Sequence, residues 1–421
     1  MPQQLRTVRL GFIGLGVVGQ GVLELLARQN ADLAQRFGIA LLPVAACVRD
    51  PNRGRGLHAA GIAMETDPLL LVARPDVDIV VELAGGLAMW PAIEAALRAK
   101  KPVVTANKAL IAQKLGELVA LSQETGTPVH CEGAVAAALP ILRSLGRRVD
   151  RITQVQAILN GTSNFVLTRM EQDEMPLEKA VALAQSKGFA EADPSADIDG
   201  HDAAAKLSIL AHRALGIWSK PGAFPVRGIR ELTPADFDLA EAMGHRIRHI
   251  AHADELPDGS AELAVEPMLL PHWHLLAGVE EEYNAVYLTC ESAGDLSFFG
   301  KGAGGLPTAT AVVGDLVDVA LGTPTWWPTP NGQPLANPAL RQRRHYVRIH
   351  GNRQLVARRI EDRLRKSGFS VQDRATVLSA GESMDLGFIV GPSQAAPLHE
   401  VAAQLTELEK VTSVLVLSLS E

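Results

Sequence analysis

The sequence predicts an α/β chain in three parts, on three observations. Over the first 140 residues apolar strand patterns alternate with helical ones, the order that builds a parallel sheet with crossover helices. From about residue 150 the alternation gives way to a mixed α+β pattern. Residues 345–421 then read strand, helix, strand, strand, helix, strand, the order of a ferredoxin-like fold.

Val8–Ile13 is a short apolar run that reads as a buried strand. Gly14-Leu15-Gly16-Val17-Val18-Gly19 follows as a glycine turn, and VLELLAR continues at helical spacing. Leu41–Val48, Asp78–Leu83 and Pro102–Thr105 read as further strands, with helical patterns between them such as Trp90–Lys100. In the middle part Ile152–Ile158 alternates like a strand with one wet face. Helices are expected around Leu177–Lys187 and His201–Leu215, and a strand over Glu282–Cys290 ahead of a glycine-rich turn. Residues 322–344 are rich in proline and polar side chains and read as a linker. The last part has strands in HYVRIH, VQDRATVLSA, MDLGFIVG and VLVLSL, and helices in VARRIEDRLRKSG and LHEVAAQLTELEK. The expected boundaries are 1–140, completed by about 303–322; 141–302; a linker at 323–344; and 345–421.

With 421 residues, 47% apolar and 21% charged, the chain has material for more than one core. Its net charge of −7 points to neither nucleic acid nor an anionic membrane as partner. Cys47, Cys131 and Cys290 are far apart and lack a CxxC spacing, so reduced, buried thiols are expected rather than a disulfide framework or a zinc site. No stretch approaches the roughly 20 apolar residues of a spanning helix, and the N-terminus has no signal-peptide design; a cytoplasmic protein is expected.

A G-x-G-x-x-G string carries weight only between a strand and a helix, and that is its setting here. Gly14 allows the tight turn, Gly16 lets backbone approach a pyrophosphate, and Gly19 permits close helix–strand packing. Amides at the helix N-terminus then face the phosphates, as in a Rossmann dinucleotide-binding domain. At the end of the second strand, Arg49 is placed to pair with a 2′-phosphate, favouring NADP; the adjacent Asp50 would serve NAD instead, and Arg53 and Arg55 follow.

Three further segments narrow the chemistry. Thr105-Ala106-Asn107-Lys108 closes a predicted parallel strand, where ligands of open α/β sheets bind, so Lys108 points into the expected cleft. Leu159-Asn160-Gly161-Thr162-Ser163-Asn164 follows a strand and offers small polar donors, and Asn or Thr there also suits a helix cap. Asp202 and Lys206, four apart, share one helix face. Upstream, Glu191, Asp193, Asp197 and Asp199 crowd together, an arrangement that a substrate ammonium and Lys206 would offset.

The strings GFIGLGVVG, VVELAGG, VVTANKALI, LNGTSNFVL, GFAEADPSADIDGHDAAAKLSILA and FGKGAGGLPTATAVVGD together resemble the homoserine dehydrogenase family, in its order and over about the first 320 residues. The resemblance implies reversible NAD(P)H-dependent reduction of L-aspartate-4-semialdehyde to L-homoserine, a step of threonine and methionine biosynthesis. It implies Lys206 as proton donor at the substrate oxygen, Lys108 at the cofactor–substrate junction and Asp202 orienting substrate or Lys206. Glu191 is expected on the substrate ammonium, with Asp197, Asn160 and Thr162 in the substrate site. Gly14 to Gly19, Arg49, Thr105, Lys108 and Gly302 are expected against the cofactor. The family also binds a structural monovalent cation, usually sodium; the matching positions are Glu132 and the carbonyls of Val135, Ala137 and Leu139. Alanines stand here where that turn is expected to hold glycines, and alanine resists positive φ.

The C-terminal part resembles an ACT module, for which threonine is the usual effector. Its first turn, His350-Gly351-Asn352-Arg353-Gln354-Leu355, lacks the Asp-x-Pro-Gly string of effector-binding copies, which favours a role in assembly. A homodimer or homotetramer joined through the middle part is expected. A non-catalytic amino-acid sensor would have no use for Lys206 and Lys108, and both are present.

Overall fold

The computed structural model describes residues 5–52, 57–146, 149–325, 327–329, 334–355, 357–378 and 382–420. The N-terminal part runs β1 (Arg6–Ile13), α1 (Val17–Phe37), β2 (Ile39–Cys47), β3 (Ala63–Glu65), α2 (Pro68–Ala73), β4 (Ile79–Glu82), α3 (Trp90–Arg98), β5 (Val103–Thr105), α4 (Lys108–Thr125) and β6 (Val129–His130). Its six strands are parallel in the order β3-β2-β1-β4-β5-β6. Buried from both faces, β1 and β4 read as nearly continuous apolar runs, as central parallel strands do. The order reverses between β1 and β4, and a crevice opens there beyond the strands' carboxyl ends.

The middle part continues with α5 (Ile141–Leu145), β7 (Ile152–Ile158), α6 (Gly161–Gln172), α7 (Leu177–Ser186), α8 (Ser195–Ile198), α9 (His201–Leu215) and α10 (Pro234–Ala242). A long hairpin follows, β8 (His245–Glu255) and β9 (Ala261–Pro271), then β10 (Tyr283–Cys290), β11 (Gly294–Lys301) and α11 (Gly305–Ala320). Helix α11 returns to the first sheet and packs on α1: a Cβ on Gly21 would lie 3.2 Å from both Ala309 Cβ and the Gly305 carbonyl oxygen. Strand β7 lies between β10 and β8 and has no wet face, contrary to the alternation in its sequence. Val155 and Ala157 join the core under the helices, while Ile158 joins a second cluster with Leu276, Ala277 and Val279, which cover the other face. The polar Gln156 is buried by pairing with Ser420, 2.9 Å away.

The last part is β12 (Arg343–Asn352), α12 (Ala357–Lys366), β13 (Val371–Leu378), β14 (Ser383–Ser393), α13 (Ala395–Thr406) and β15 (Val411–Leu419). Its strands run β15-β12-β14-β13, and they are not a separate sheet. Strand β15 pairs in parallel with β9 through Ser418–Met268 and Leu419–Leu269, making one nine-stranded sheet with the middle part. A buried charge network fastens the joint. Arg343 reaches Glu262 at 2.6 Å and Asp254 at 3.4 Å, Arg341 reaches Asp254 at 3.0 Å, and His252 lies 3.2 Å from Asp254.

The expected linker is not a free spacer where it is described. Trp327 is buried, donates from its indole N–H to the Val129 carbonyl at 3.2 Å, and lies under the Arg213 guanidinium. Ala336 donates to the Ala261 carbonyl. The 326 and 330–333 positions of that stretch lie outside the described residues.

Candidate active site

The glycine turn is built as its residue types require. Gly14 has φ 96°, and a Cβ there would sit 2.7 Å from the Ala84 amide nitrogen, so β1 and β4 approach too closely for a side chain. A Cβ on Gly19 would lie 2.8 Å from the Gly14 carbonyl oxygen, whereas one on Gly16 would meet nothing within 4 Å. Two glycines thus close the turn, and the third leaves the α1 N-terminus open to a ligand. Leu15 is buried in the core beside α1 and anchors the turn; Val17 stands exposed and Val18 half-buried at its mouth.

The neighbouring loops are stapled from beneath. Glu82, fully buried at the end of β4, accepts from the amides of Ala84 (3.0 Å) and Gly85 (2.9 Å) and from the Thr105 hydroxyl (2.7 Å). The Thr105 side chain is therefore enclosed in this network rather than open to a ligand, its oxygen also accepting from the Asn107 amide. Asn107 caps α4 through the Leu110 amide and exchanges two hydrogen bonds with Gly86. Glu82 and Asn107 were not singled out from the sequence, although they lie inside the VVELAGG and TANK strings; a carboxylate closing an otherwise apolar strand was the available signal.

Lys108 opens α4, and its ammonium lies 2.5 Å from Asp202 Oδ1. Asp202 Oδ2 is 2.7 Å from Lys206 Nζ on the next turn of α9 and 2.9 Å from Asn160 Nδ2. Lys206 also donates to the Leu159 carbonyl at 2.7 Å, so the end of β7 fixes its head group. Asn160 donates to Asp197 as well (2.7 Å), and its oxygen caps α6 at the Ser163 amide. One carboxylate thus bridges two lysines from different parts of the chain, and the two lysines differ. Lys206 has a side chain 10% exposed, while that of Lys108 is 43% exposed.

Burial sets the starting point for each group. For Lys206 burial pulls the ammonium below its ordinary range, and Asp202 only partly restores it against the repulsion of Lys108. For Lys108 burial also pulls downward, but Asp202, Asp197 and Glu191 outweigh it and leave it raised. Asp202, although buried, is held well below the carboxylate range by the two lysines. Burial pushes Asp197 up, with Asp202 adding to the effect and the Asn160 hydrogen bond opposing it.

The acidic run is less crowded than the sequence implies. Asp199 turns away to Arg230, a partner distant in sequence, and Asp193 accepts from the Ser195 amide. Glu191 is exposed at the rim, and its charge is felt by Lys108. The Thr162 hydroxyl donates to the Phe189 carbonyl at 2.6 Å, tying the Glu191-bearing loop to α6. Arg49 stands exposed beyond β2, and Asp50 folds back to accept from the Asn52 amide. Arg53 and Arg55 lie outside the described residues.

A cleft of about 390 Å³ joins these parts, lined among others by Val17, Gly85, Lys108, Ala137, Lys206 and Gly302. Its floor includes the turn expected to hold a cation. Ala136 and Ala137 take the left-handed conformation there (φ 53° and 45°), so the turn keeps a glycine-like shape despite its alanines. Glu132 is buried, and its carboxylate oxygens accept from the Leu142 and Arg143 amides at 2.8 and 2.7 Å, capping α5. The Leu139 carbonyl accepts from Ile141, whereas among the described residues no hydrogen bond reaches the carbonyls of Val135 or Ala137. The three cysteines are buried, and burial pushes the Cys131 thiol up, away from reactivity. Among the described residues no helix is long and apolar enough to cross a membrane.

Comparison with known proteins matches residues 14–132 to the family model "Homoserine dehydrogenase, NAD binding domain" and residues 140–317 to "Homoserine dehydrogenase". The homoserine dehydrogenase of Bacillus subtilis is 39% identical over 319 residues, covering 75% of this chain and 73% of that protein. The Mycobacterium tuberculosis enzyme of the same name is 40% identical over 328 residues, covering 76% and 74%. Among solved structures, a homoserine dehydrogenase from Thiobacillus denitrificans superposes with a TM-score of 0.91 at 34% identity, covering 100% of this chain and 99% of that one. A hyperthermophilic archaeal homoserine dehydrogenase in complex with NADPH superposes with a TM-score of 0.65 at 27% identity, over 76% of this chain and 99% of its own.

Proposed function

The chain belongs to the homoserine dehydrogenase family of NAD(P)-dependent oxidoreductases, and we propose that it interconverts L-aspartate-4-semialdehyde and L-homoserine with Lys206 as the acid–base group at the substrate oxygen. One observation carries the assignment of roles: Asp202 bridges Lys206 and Lys108 on the same cleft as the open α1 N-terminus. When bound, the dinucleotide supplies or accepts the hydride. Lys206, buried and lowered in pKa, then gives its proton to the developing alkoxide during reduction and takes it back in the reverse direction. Asp202 orients it, and the raised, more exposed Lys108 holds a fixed positive charge between cofactor and substrate. Glu191 and Asp197 offer carboxylates to the substrate ammonium, and Asn160 and Thr162 set the positions of Asp197 and the Glu191 loop.

For the cofactor, Gly14 shapes the turn while its own N–H donates to the Cys47 carbonyl, the amides beyond it as far as Gly19 suit a pyrophosphate, and the exposed Arg49 suits a 2′-phosphate, which favours NADP over NAD. Thr105 acts through the Glu82 network, and Gly302 offers backbone. A structural monovalent cation, sodium by preference, fits the turn through the unpaired carbonyls of Val135 and Ala137. Leu139 and Glu132 complete the oxygen set, since a carboxylate accepting two amides keeps further lone pairs. The C-terminal module, ACT-like in its strand order, is assigned to assembly, and threonine that bound or slowed the enzyme would overturn this. Exposed Trp273, Leu275 and Phe299 on the middle part support a homodimer or homotetramer joined there.

The test is the absorbance of NADPH, and separately NADH, during incubation with aspartate-4-semialdehyde. Oxidation with homoserine as product is expected, faster with NADPH. Folded protein that oxidises neither, with sodium or potassium present, would overturn the assignment.

A further inference from the structure

Asn284 is fully buried on β10, and among the described residues neither its carboxamide nitrogen nor its oxygen has a hydrogen-bond partner. A buried amide without partners is costly relative to an apolar side chain of similar shape. Its surroundings indicate what it faces. A Cβ on Gly302 would lie 1.9 Å from the carboxamide carbon and about 2 Å from both polar atoms, so the amide rests directly on the backbone of residue 302. Gly302, Ala303 and Gly304 line the cleft with Val17 and Lys108. Among the described residues no hydrogen bond leaves the backbone amides of these three, and Gly304 has φ 116°. A carboxamide lacking partners therefore lies beneath a glycine-rich segment whose amides lack partners too, one layer behind the cleft. With no Cβ at 302, the backbone there is free to adjust towards the carboxamide.

We propose that Asn284 is a positioning residue for the cofactor, a latch whose carboxamide hydrogen-bonds the 302–304 backbone when a nicotinamide dinucleotide fills the cleft. This rests on the cofactor reading above. The free protein then carries the unpaired amides as stored cost, and cofactor binding recovers it. Coupling between the amide and the ligand follows, because an interaction made only in the bound state adds to affinity.

The test compares wild type with Asn284→Leu and Asn284→Ala by titrating NADPH and by measuring hydrogen exchange at residues 302–304 with and without it. One or two lost hydrogen bonds correspond to a Kd about tenfold weaker in Asn284→Leu. The free variant should melt at the wild-type temperature or above, since an orphan amide has been removed. NADPH should protect 302–304 less in both variants than in wild type. If Asn284→Leu raises the melting temperature yet keeps the wild-type Kd, the amide is only a buried polar group, or one satisfied by a structural water, and the latch is overturned. Should Asn284→Leu not fold, wild-type protection retained in Asn284→Ala overturns it equally. Wild-type protein that bound no NADPH would overturn the cofactor reading and the latch together.

Discussion

Replacing Asp202 with asparagine keeps the shape of the side chain and removes its charge, and the geometry states what should follow. Asp202 lies 2.7 Å from Lys206 Nζ and 2.5 Å from Lys108 Nζ, and it raises the pKa of both. Without it two ammonium groups face each other with Asp197 and Glu191 left to offset them, and the more deeply buried Lys206 is the one to lose its proton. An opposite charge at such a distance shifts a pKa by about 1–3 units. Each unit is a tenfold change in the protonated fraction above the pKa. The alkaline limb of kcat for aldehyde reduction should therefore move to lower pH by about 1–3 units, with NADPH affinity much less affected. The assay is the pH profile of NADPH oxidation for wild type and Asp202→Asn under saturating substrate. A limb that stays in place, or moves to higher pH, would refute the assignment of Lys206 as the proton donor held by Asp202. Stability should change in the same variant. A carboxyl depressed in the folded state contributes stability above its unfolded value, near 3.8, and loses it as pH falls through the folded value. The wild type should thus show an acid-side decline to which Asp202→Asn contributes less.

Lys206→Ala should lower turnover by about 10²–10⁴-fold with little change in NADPH binding by titration, and near-normal turnover would end its role. Arg49→Ala should raise KM for NADPH far more than for NADH, and equal effects would remove the 2′-phosphate contact. An L-residue in the left-handed region costs about 1–2 kcal/mol, so Ala136→Gly and Ala137→Gly should each raise Tm, by up to about 1 kcal/mol of stability; a fall in both would contradict the strain. Burial pulls His252 down, but Asp254 and Glu266 outweigh it and raise it to about 9. Its stability is therefore fully present below about pH 6.5 and lost as pH rises through about 9. Thermal melts from pH 6 to 10 should show this decline in wild type and lose it in His252→Gln, while identical slopes would exclude it.

Much of this protein could be read from sequence because local physics set it. Turn and helix signals decide Gly14, Gly16 and Gly19, and the alternation after them decides a parallel sheet. The spacing of Asp202 and Lys206 put them on one face, where they meet. The βαββαβ order of the last part follows from the same periodicities. The tertiary structure decided what depends on partners distant in the chain. The β8–β9 hairpin escaped prediction because polar residues interrupt its pattern, and helix α6 was foreshadowed only by the cap that Asn160 offers. In β8, Arg248 is fully buried yet paired with Glu171, and His252 and Asp254 neutralise one another, so residues that read as wet lie inside. The wet face predicted for β7 is covered by the 275–279 segment and by Ser420, more than a hundred residues away. Asp199, which the sequence placed among crowded acids, is neutralised by Arg230. Lys108 met Asp202 across almost a hundred residues of chain, and Asn284 came to rest against Gly302 on the neighbouring strand's far end. A one-dimensional pattern encodes which face a side chain takes; the energy of burying a charge or an amide depends on what stands opposite, and only the folded chain supplies that neighbour.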